Sequence, residues 1–196
     1  MISLQIPLRG VHILEGLNFF DASVMGFVQA HFHNPVTDAI FPVITYFGEA
    51  GVGWILLSLL LLFTKKYRRC GVLMLGAMLG AFLAGEVVLK NLVCRPRPFV
   101  DYPDYVTLLI HPPGSYSFPS GHSSSSFAAA AVLFHFNRKG GTAALVGAAL
   151  VAFSRIFLFV HYPTDVLAGI LFGLFFALLT LWINRKFSEP KREPLP

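Results

Sequence analysis

Long apolar segments alternate with short polar segments through most of the chain. The apolar runs lie at residues 52–64, 72–89, 123–136, 141–160 and 166–183. A helix needs about 20 mostly apolar residues to cross a bilayer, so this pattern predicts an all-α, polytopic membrane protein. We expect a transmembrane bundle of about six helices, with a four-helix core that carries the chemistry.

The N-terminal segment has a different pattern. Between residues 11 and 33 the apolar side chains follow one helical face, whereas Glu15, Asn18 and Asp21 lie on the others. Such a stripe fits a helix in the membrane interface or an imperfect first span, and the cost of about 2.5–3.5 kcal/mol for each charge at the bilayer centre favours the interface. We therefore predict an interfacial helix over 1–34, a membrane domain over 35–185 and a basic tail over 186–196.

Residues 35–64 contain a predicted break. The pair Asn34-Pro35 is typical of a helix start and predicts a helix to about residue 48. Pro42 is expected to kink this helix, and three glycines over residues 48–53 loosen the chain before the next apolar run. The pattern leaves open whether two short spans meet at the glycines or one long helix bends there.

The net charge of +5 comes from basic residues whose positions indicate membrane topology rather than nucleic-acid binding. Basic residues form groups at residues 65–69, 138–139 and 185–192, each between or after apolar segments on the same side. By the positive-inside rule that side is the cytoplasm, which also places the C-terminus there. The sequence thus predicts a multi-pass plasma-membrane protein whose other helix connections face outward.

Those outward connections carry charged and titratable residues that the rule does not expect there. Arg155 lies in an apolar helix near its outer end, where an unpaired charge is costly and calls for an anion. The gathering of cations at this face indicates an anionic ligand. The residues concerned are Lys90, Arg95, Arg97, Ser120, His122, Arg155, His161 and Asp165.

Two local patterns suggest chemistry. Pro119-Ser120-Gly121-His122 opens a helix whose unpaired N–H groups can bind a phosphate, and His122 can pass a proton to a leaving group. Asp165 lies in the first turn of the last helix, where it can orient His161 and raise its basicity. The alternative interpretation is a capping serine, a capping aspartate and histidines in the membrane interface.

Three separated motifs together carry a resemblance. They are Lys90, six residues, Arg97-Pro98; then Pro119-Ser120-Gly121-His122; then Ser154-Arg155, five residues, His161, three residues, Asp165. In order and spacing they resemble the three-part signature of the type 2 phosphatidic acid phosphatase superfamily, which includes integral membrane lipid phosphatases. The resemblance covers roughly residues 35–185.

The resemblance implies a role for each motif residue. His161 attacks phosphorus and forms a phosphohistidine, Asp165 orients it, and His122 protonates the leaving oxygen and later activates water. Lys90, Arg97 and Arg155, with Ser120 and the Gly121 N–H, bind the phosphate oxygens. Family members of this type need no metal, so we expect no cofactor.

These patterns predict a hydrolase that acts on a lipid phosphate or diphosphate at the outer membrane face. Undecaprenyl diphosphate is the preferred substrate, because Arg95 can meet a second phosphate or lipid headgroup; a solvated flanking charge is the equal alternative for Arg95. Phosphatidylglycerophosphate and phosphatidic acid are the alternative substrates. A lipid phosphotransferase, or a non-catalytic headgroup binder or transporter, remains open. The expected partners are the lipid substrate and the bilayer, with no nucleic acid; the sequence gives no oligomeric state.

Overall fold

The computed structural model describes residues 12–188, and all regular structure within that range is helical. A 3₁₀ turn, Glu49–Gly51, precedes the third helix, and a π-helical segment, Leu83–Leu89, joins the fourth helix to the fifth. The helices are α1 (His12–His31), α2 (Pro35–Phe47), α3 (Val52–Leu62), α4 (Arg68–Phe82), α5 (Lys90–Val93), α6 (Pro98–Asp101), α7 (Gly121–Phe136), α8 (Arg138–Phe157) and α9 (Pro163–Ser188).

The core of the bundle is formed around α7. This helix is 16 residues long and rich in alanine, and it packs against α4, α8 and α9. Ala128, Ala129 and Ala130 are fully buried, because small side chains allow neighbouring helices to approach closely. The prediction of an all-α bundle with a four-helix core is confirmed.

Within residues 12–188, three helical stretches are long and apolar enough to cross a membrane: Arg68–Asp101, Arg138–Phe157 and Pro163–Phe187. The pair α2 and α3 forms a fourth candidate span, bent by 43°. The bend lies at the glycines, where Ala50 and Gly51 have φ values of 48° and 70°, whereas α2 continues through Pro42. The break between the two helices therefore lies at residues 48–51.

Helix α1 lies across the ends of α8 and α9. Gln29 Nε2 donates to the carbonyl oxygen of Phe157 at 2.9 Å, and Asp21 accepts a hydrogen bond from the Thr164 N–H at 2.8 Å. It is not among the candidate spans. Its position in the membrane interface stays a prediction, as does the division of the chain at residues 34 and 185. The predicted basic tail lies outside the described residues from residue 189 onward.

Two glycines one helical turn apart allow α9 to contact α7 backbone to backbone. A Cβ added at Gly169 would lie 2.5 Å from the Ser120 carbonyl oxygen, and one at Gly173 would lie 2.3 Å from that of Ser124. This small-xxx-small spacing permits close helix approach in lipid. The contact fixes the first turn of α9 beside the first turn of α7.

Gly173→Ala tests whether this close contact stabilises the bundle. The added methyl group must push α9 away from the Ser124 backbone, and overpacking of this kind costs roughly 1–3 kcal/mol. We expect a lower thermal unfolding temperature in detergent. The matched control is Gly147→Ala in α8, where nothing lies within 4 Å of the added Cβ. Equal unfolding temperatures for the two variants would contradict the close-contact interpretation.

Candidate active site

Three chain segments meet at one end of the bundle. The Ser120 N–H, at the start of α7, donates to the carbonyl oxygen of Asp165 in α9 at 3.0 Å. Arg97, just before α6, donates from Nη1 to the carbonyl oxygen of Val160 at 2.8 Å. These bonds join the segments that carry the three sequence motifs. The motifs therefore lie together, as expected if all three are at the same membrane face.

The meeting point encloses a cavity of about 660 Å³. Its lining at one end is apolar, with side chains from α3 and α4 that include Leu79 and Phe82. Both side chains are more than half exposed, so this apolar part of the lining is not closed off inside the bundle. Six of the eight predicted site residues line the cavity: Lys90, Arg97, Gly121, His122, Arg155 and His161.

Three cations line the polar end and are almost entirely buried. Arg155 is 1% exposed, donates from Nη1 to the Thr45 hydroxyl, and has no hydrogen-bond partner for Nε among the described residues. Lys90 lies 2.8 Å from a Glu86 carboxylate oxygen, as their spacing of four residues indicates. Arg97 donates to the carbonyl oxygen of Ser115 at 2.6 Å. Burial of this much positive charge favours binding of an anion.

The contacts of the His161 side chain fix which ring nitrogen carries the proton. Arg97 Nη1 lies 3.1 Å from Nε2, and an arginine can only donate, so Nε2 carries the lone pair and Nδ1 the proton. Nδ1 lies 3.5 Å from the Ser117 hydroxyl and 3.7 Å from Asp165 Oδ2. This tautomer is the one a nucleophilic imidazole requires.

The start of α7 presents His122 and Gly121 to the cavity. Ser120 is the N-cap: its hydroxyl accepts hydrogen bonds from the Ser123 N–H at 3.4 Å and the Ser123 hydroxyl at 2.9 Å. Ser120 is fully buried and is not among the residues that line the cavity, so its phosphate contact stays a prediction. A side chain at position 121 would displace Glu86, since an added Cβ would lie 2.1 Å from Glu86 Oε1.

The structure contradicts the expectation that Arg95 meets a second phosphate. Its Nη1 lies 2.6 Å from Asp165 Oδ1 and its Nη2 lies 2.7 Å from Asp21 Oδ2. Its guanidinium also stacks 3.9 Å above the Tyr162 ring. Both ends of the guanidinium are occupied by protein carboxylates, and Arg95 does not line the cavity.

Several site contacts lie outside the sequence motifs. Glu49, at the break between α2 and α3, lies 3.4 Å from His122 Nε2, a charge contact without hydrogen-bond geometry. Ser117 donates to Asp165 Oδ2 at 2.5 Å. The only sequence signal for Asp21 is that it is a charged residue outside the apolar face of α1. An acidic residue beside a glycine break was the only sequence signal for Glu49, and none indicated Ser117.

Burial is the main reason that the pKa of His161 lies well below the ordinary value. The side chain is 1% exposed, and the positive charges of Arg97, Arg155 and Lys90 disfavour a further proton in the same direction. The imidazole is therefore neutral at neutral pH, which keeps the lone pair on Nε2 available.

Comparisons with known proteins agree on one family. The sequence model of the PAP2 superfamily matches residues 71–189. The decaprenylphosphoryl-5-phosphoribose phosphatase of Mycolicibacterium smegmatis is 39% identical over 128 residues, 64% of this chain and 67% of that protein. The undecaprenyl-diphosphatase BcrC of Bacillus subtilis is 33% identical over 147 residues, 75% of each chain. The crystal structure of a transmembrane PAP2 type phosphatidylglycerolphosphate phosphatase from Bacillus subtilis superposes with a TM-score of 0.72, at 27% identity and 90% coverage of both chains.

The protonation of His161 can be measured directly. In protein labelled with ¹⁵N-histidine, we expect the His161 imidazole to remain neutral as the pH falls through about 6.5, the ordinary histidine pKa. The reason is that burial and the neighbouring cations oppose the imidazolium form. The His161→Gln spectrum assigns the signal. A His161 midpoint at or above that of a histidine peptide would contradict the interpretation.

Proposed function

Because the chain belongs to the PAP2 superfamily and is an integral membrane lipid phosphatase, we propose that it hydrolyses undecaprenyl diphosphate to undecaprenyl phosphate through a phosphohistidine on His161. The observation that carries this proposal is the division of the cavity into two ends. A phosphate fits the end that carries Lys90, Arg97 and Arg155, and an apolar chain fits the end lined by α3 and α4. A polyprenyl phosphate has both parts.

The reaction follows from the groups at the polar end. Nε2 of His161 attacks phosphorus, so a P–N bond forms as the bond to the lipid-side oxygen breaks. His122 gives its proton to that leaving oxygen and then takes a proton from the water that cleaves the P–N bond. Inorganic phosphate leaves, and both histidines return to their starting protonation states.

The cations stabilise the charge that develops on phosphorus. Arg97 and Arg155 present N–H groups in a planar fork that matches phosphate oxygens, and Lys90 adds a point charge. Loss of one such donor typically costs roughly 10²–10³ in rate. The proposed reaction needs no metal ion, since these three side chains supply the positive charge.

The proposal also assigns the protein an orientation in the plasma membrane. The basic groups at the start of α4, between α7 and α8, and at the end of α9 would face the cytoplasm. The cavity lies at the opposite ends of these helices, on the extracytoplasmic face of the plasma membrane. There the lipid tail remains in the outer leaflet while its headgroup reaches His161.

A second substrate is favoured by a specific observation. Arg95 is engaged by Asp21 and Asp165, which removes one expected contact to a second phosphate. A phosphate monoester on a polyprenyl-linked sugar, as in the name of the mycobacterial relative, needs only the cations that line the cavity. Phosphatidylglycerophosphate and phosphatidic acid remain alternatives, as does transfer of the phosphoryl group to an acceptor other than water.

A phosphate-release panel tests the substrate and the reaction together. Purified protein in detergent with EDTA and no acceptor alcohol is given undecaprenyl diphosphate, decaprenylphosphoryl-5-phosphoribose, phosphatidylglycerophosphate and phosphatidic acid. We expect the highest kcat/KM for undecaprenyl diphosphate. A higher value for another lipid would overturn the substrate, and turnover only when an acceptor is added would indicate a transferase.

The matched variants are His161→Ala and His135→Ala. The first removes the nucleophile and should lower phosphate release by at least about a thousandfold, because no other group can form the intermediate. The second removes an exposed imidazole at the opposite end of α7 from His122 and should leave release unchanged. Substantial phosphate release by His161→Ala would indicate another nucleophile, whereas no release by the unsubstituted protein on any lipid would favour a headgroup binder.

A further inference from the structure

The carboxylate of Asp165 has closer partners than His161. Its Oδ1 lies 2.6 Å from Arg95 Nη1, while its Oδ2 accepts from the Ser117 hydroxyl at 2.5 Å and the Tyr162 N–H at 2.9 Å. His161 Nδ1 lies 3.7 Å from the same Oδ2. The position of the carboxylate relative to His161 is therefore set by these other contacts, among which Arg95 carries the full opposite charge.

Arg95 is in turn held by α1. Asp21 Oδ2 lies 2.7 Å from Arg95 Nη2, and the Thr164 hydroxyl donates to the same oxygen at 2.6 Å. Arg95 Nη1 lies 2.8 Å from that hydroxyl. Asp21 is 1% exposed and Asp165 is fully buried, so solvent screens little of this chain of charges.

The negative charge of Asp21 offsets the positive charge of Arg95, and this gives Asp21 a function. A guanidinium beside Asp165 competes with His161 for the carboxylate and opposes any positive charge on the imidazole. A second carboxylate on the far side of Arg95 offsets that charge. Within this group, two carboxylates and one guanidinium leave one net negative charge on the Nδ1 side of His161, opposite Arg97, and positive charge develops on the imidazole when it attacks phosphorus.

We propose that Asp21 and Arg95 are positioning residues, which hold Asp165 for orientation of His161 and make the seated α1 part of the active site. The inference rests on the proposed function of His161. It assigns the N-terminal segment a role beyond membrane attachment, since the catalytic pair is complete only when α1 lies against Thr164 and Arg95. Neither residue touches the substrate, so both act on the rate through Asp165.

The test uses the full-length protein in detergent and the lipid that the panel shows to be hydrolysed fastest. The variants are Asp21→Asn, Arg95→Met and the double variant that carries both. Asp38→Asn is the matched control, since it makes the same carboxylate-to-amide change at an ion pair with His33, away from the cavity. kcat and KM are measured for each, together with the unfolding temperature.

We expect Asp21→Asn to lower kcat by about tenfold or more, because a small displacement of Asp165 misorients His161. KM should stay within about threefold of that of the unsubstituted protein. In the Arg95→Met background, Asp21→Asn should alter kcat by less than about twofold, because the effects of substitutions at residues that act through one another are not additive. Asp38→Asn should keep the original kcat. A purely structural contact would lower the unfolding temperature without this kinetic pattern.

Two results would overturn the proposal. One is an unchanged kcat in Asp21→Asn; the other is an equal effect of Asp21→Asn with and without Arg95. If a single variant does not fold, the double variant decides, because it removes Asp21 and Arg95 together and leaves Asp165 with its hydrogen bonds from Ser117 and Tyr162. An unchanged kcat in the double variant contradicts the proposal. His161→Ala distinguishes failure of this proposal from failure of the proposed function. If His161→Ala remains active, the proposed function itself fails.

Discussion

Positive charge buried at one end of an apolar bundle is the constraint on which the rest of the structure depends. Lys90, Arg97 and Arg155 are each 5% exposed or less, and one nitrogen of Arg155 has no hydrogen-bond partner in the described part of the chain. Glu86 and Glu49 offset only part of this charge. Under the proposed function, a bound phosphate would offset the remaining charge, and the buried cations would stabilise both this anion and the transition state.

The fold brings the cations together through close backbone contacts rather than long side-chain networks. Gly169 and Gly173 let α9 approach the first turns of α7, which places the Asp165 carbonyl against the Ser120 N–H. The break at residues 48–51 brings Glu49 to His122 instead of continuing as a straight span. Side chains of α3 and α4 near this break line the apolar end of the cavity.

The sequence predicted the parts of the site that occur as compact motifs. Lys90, Arg97, His122, Arg155 and His161 were identified from spacing, and all line one cavity. The long apolar runs likewise predicted α4, α7, α8 and α9, because membrane-length hydrophobic segments give a strong and local signal.

Contacts between distant segments could not be predicted in the same way. The partners of Arg95 lie 74 and 70 residues away, in α1 and α9, so the sequence offered only a second phosphate or a solvated charge for this residue. Nothing local to Asp21 distinguishes a buried carboxylate from an exposed one on an amphipathic helix. The tautomer of His161 also depended on Arg97, which lies 64 residues earlier in the chain.

The central claim is that His161 forms a covalent bond to phosphorus, and rapid acid-free quenching with a ³²P-labelled lipid substrate tests it most directly. The account predicts that label appears on the protein before inorganic phosphate accumulates, is stable in alkali, is lost in acid, and maps to His161. It should be absent from His161→Ala. Turnover at the full rate with no protein-bound label, or with label on another residue, would contradict the account.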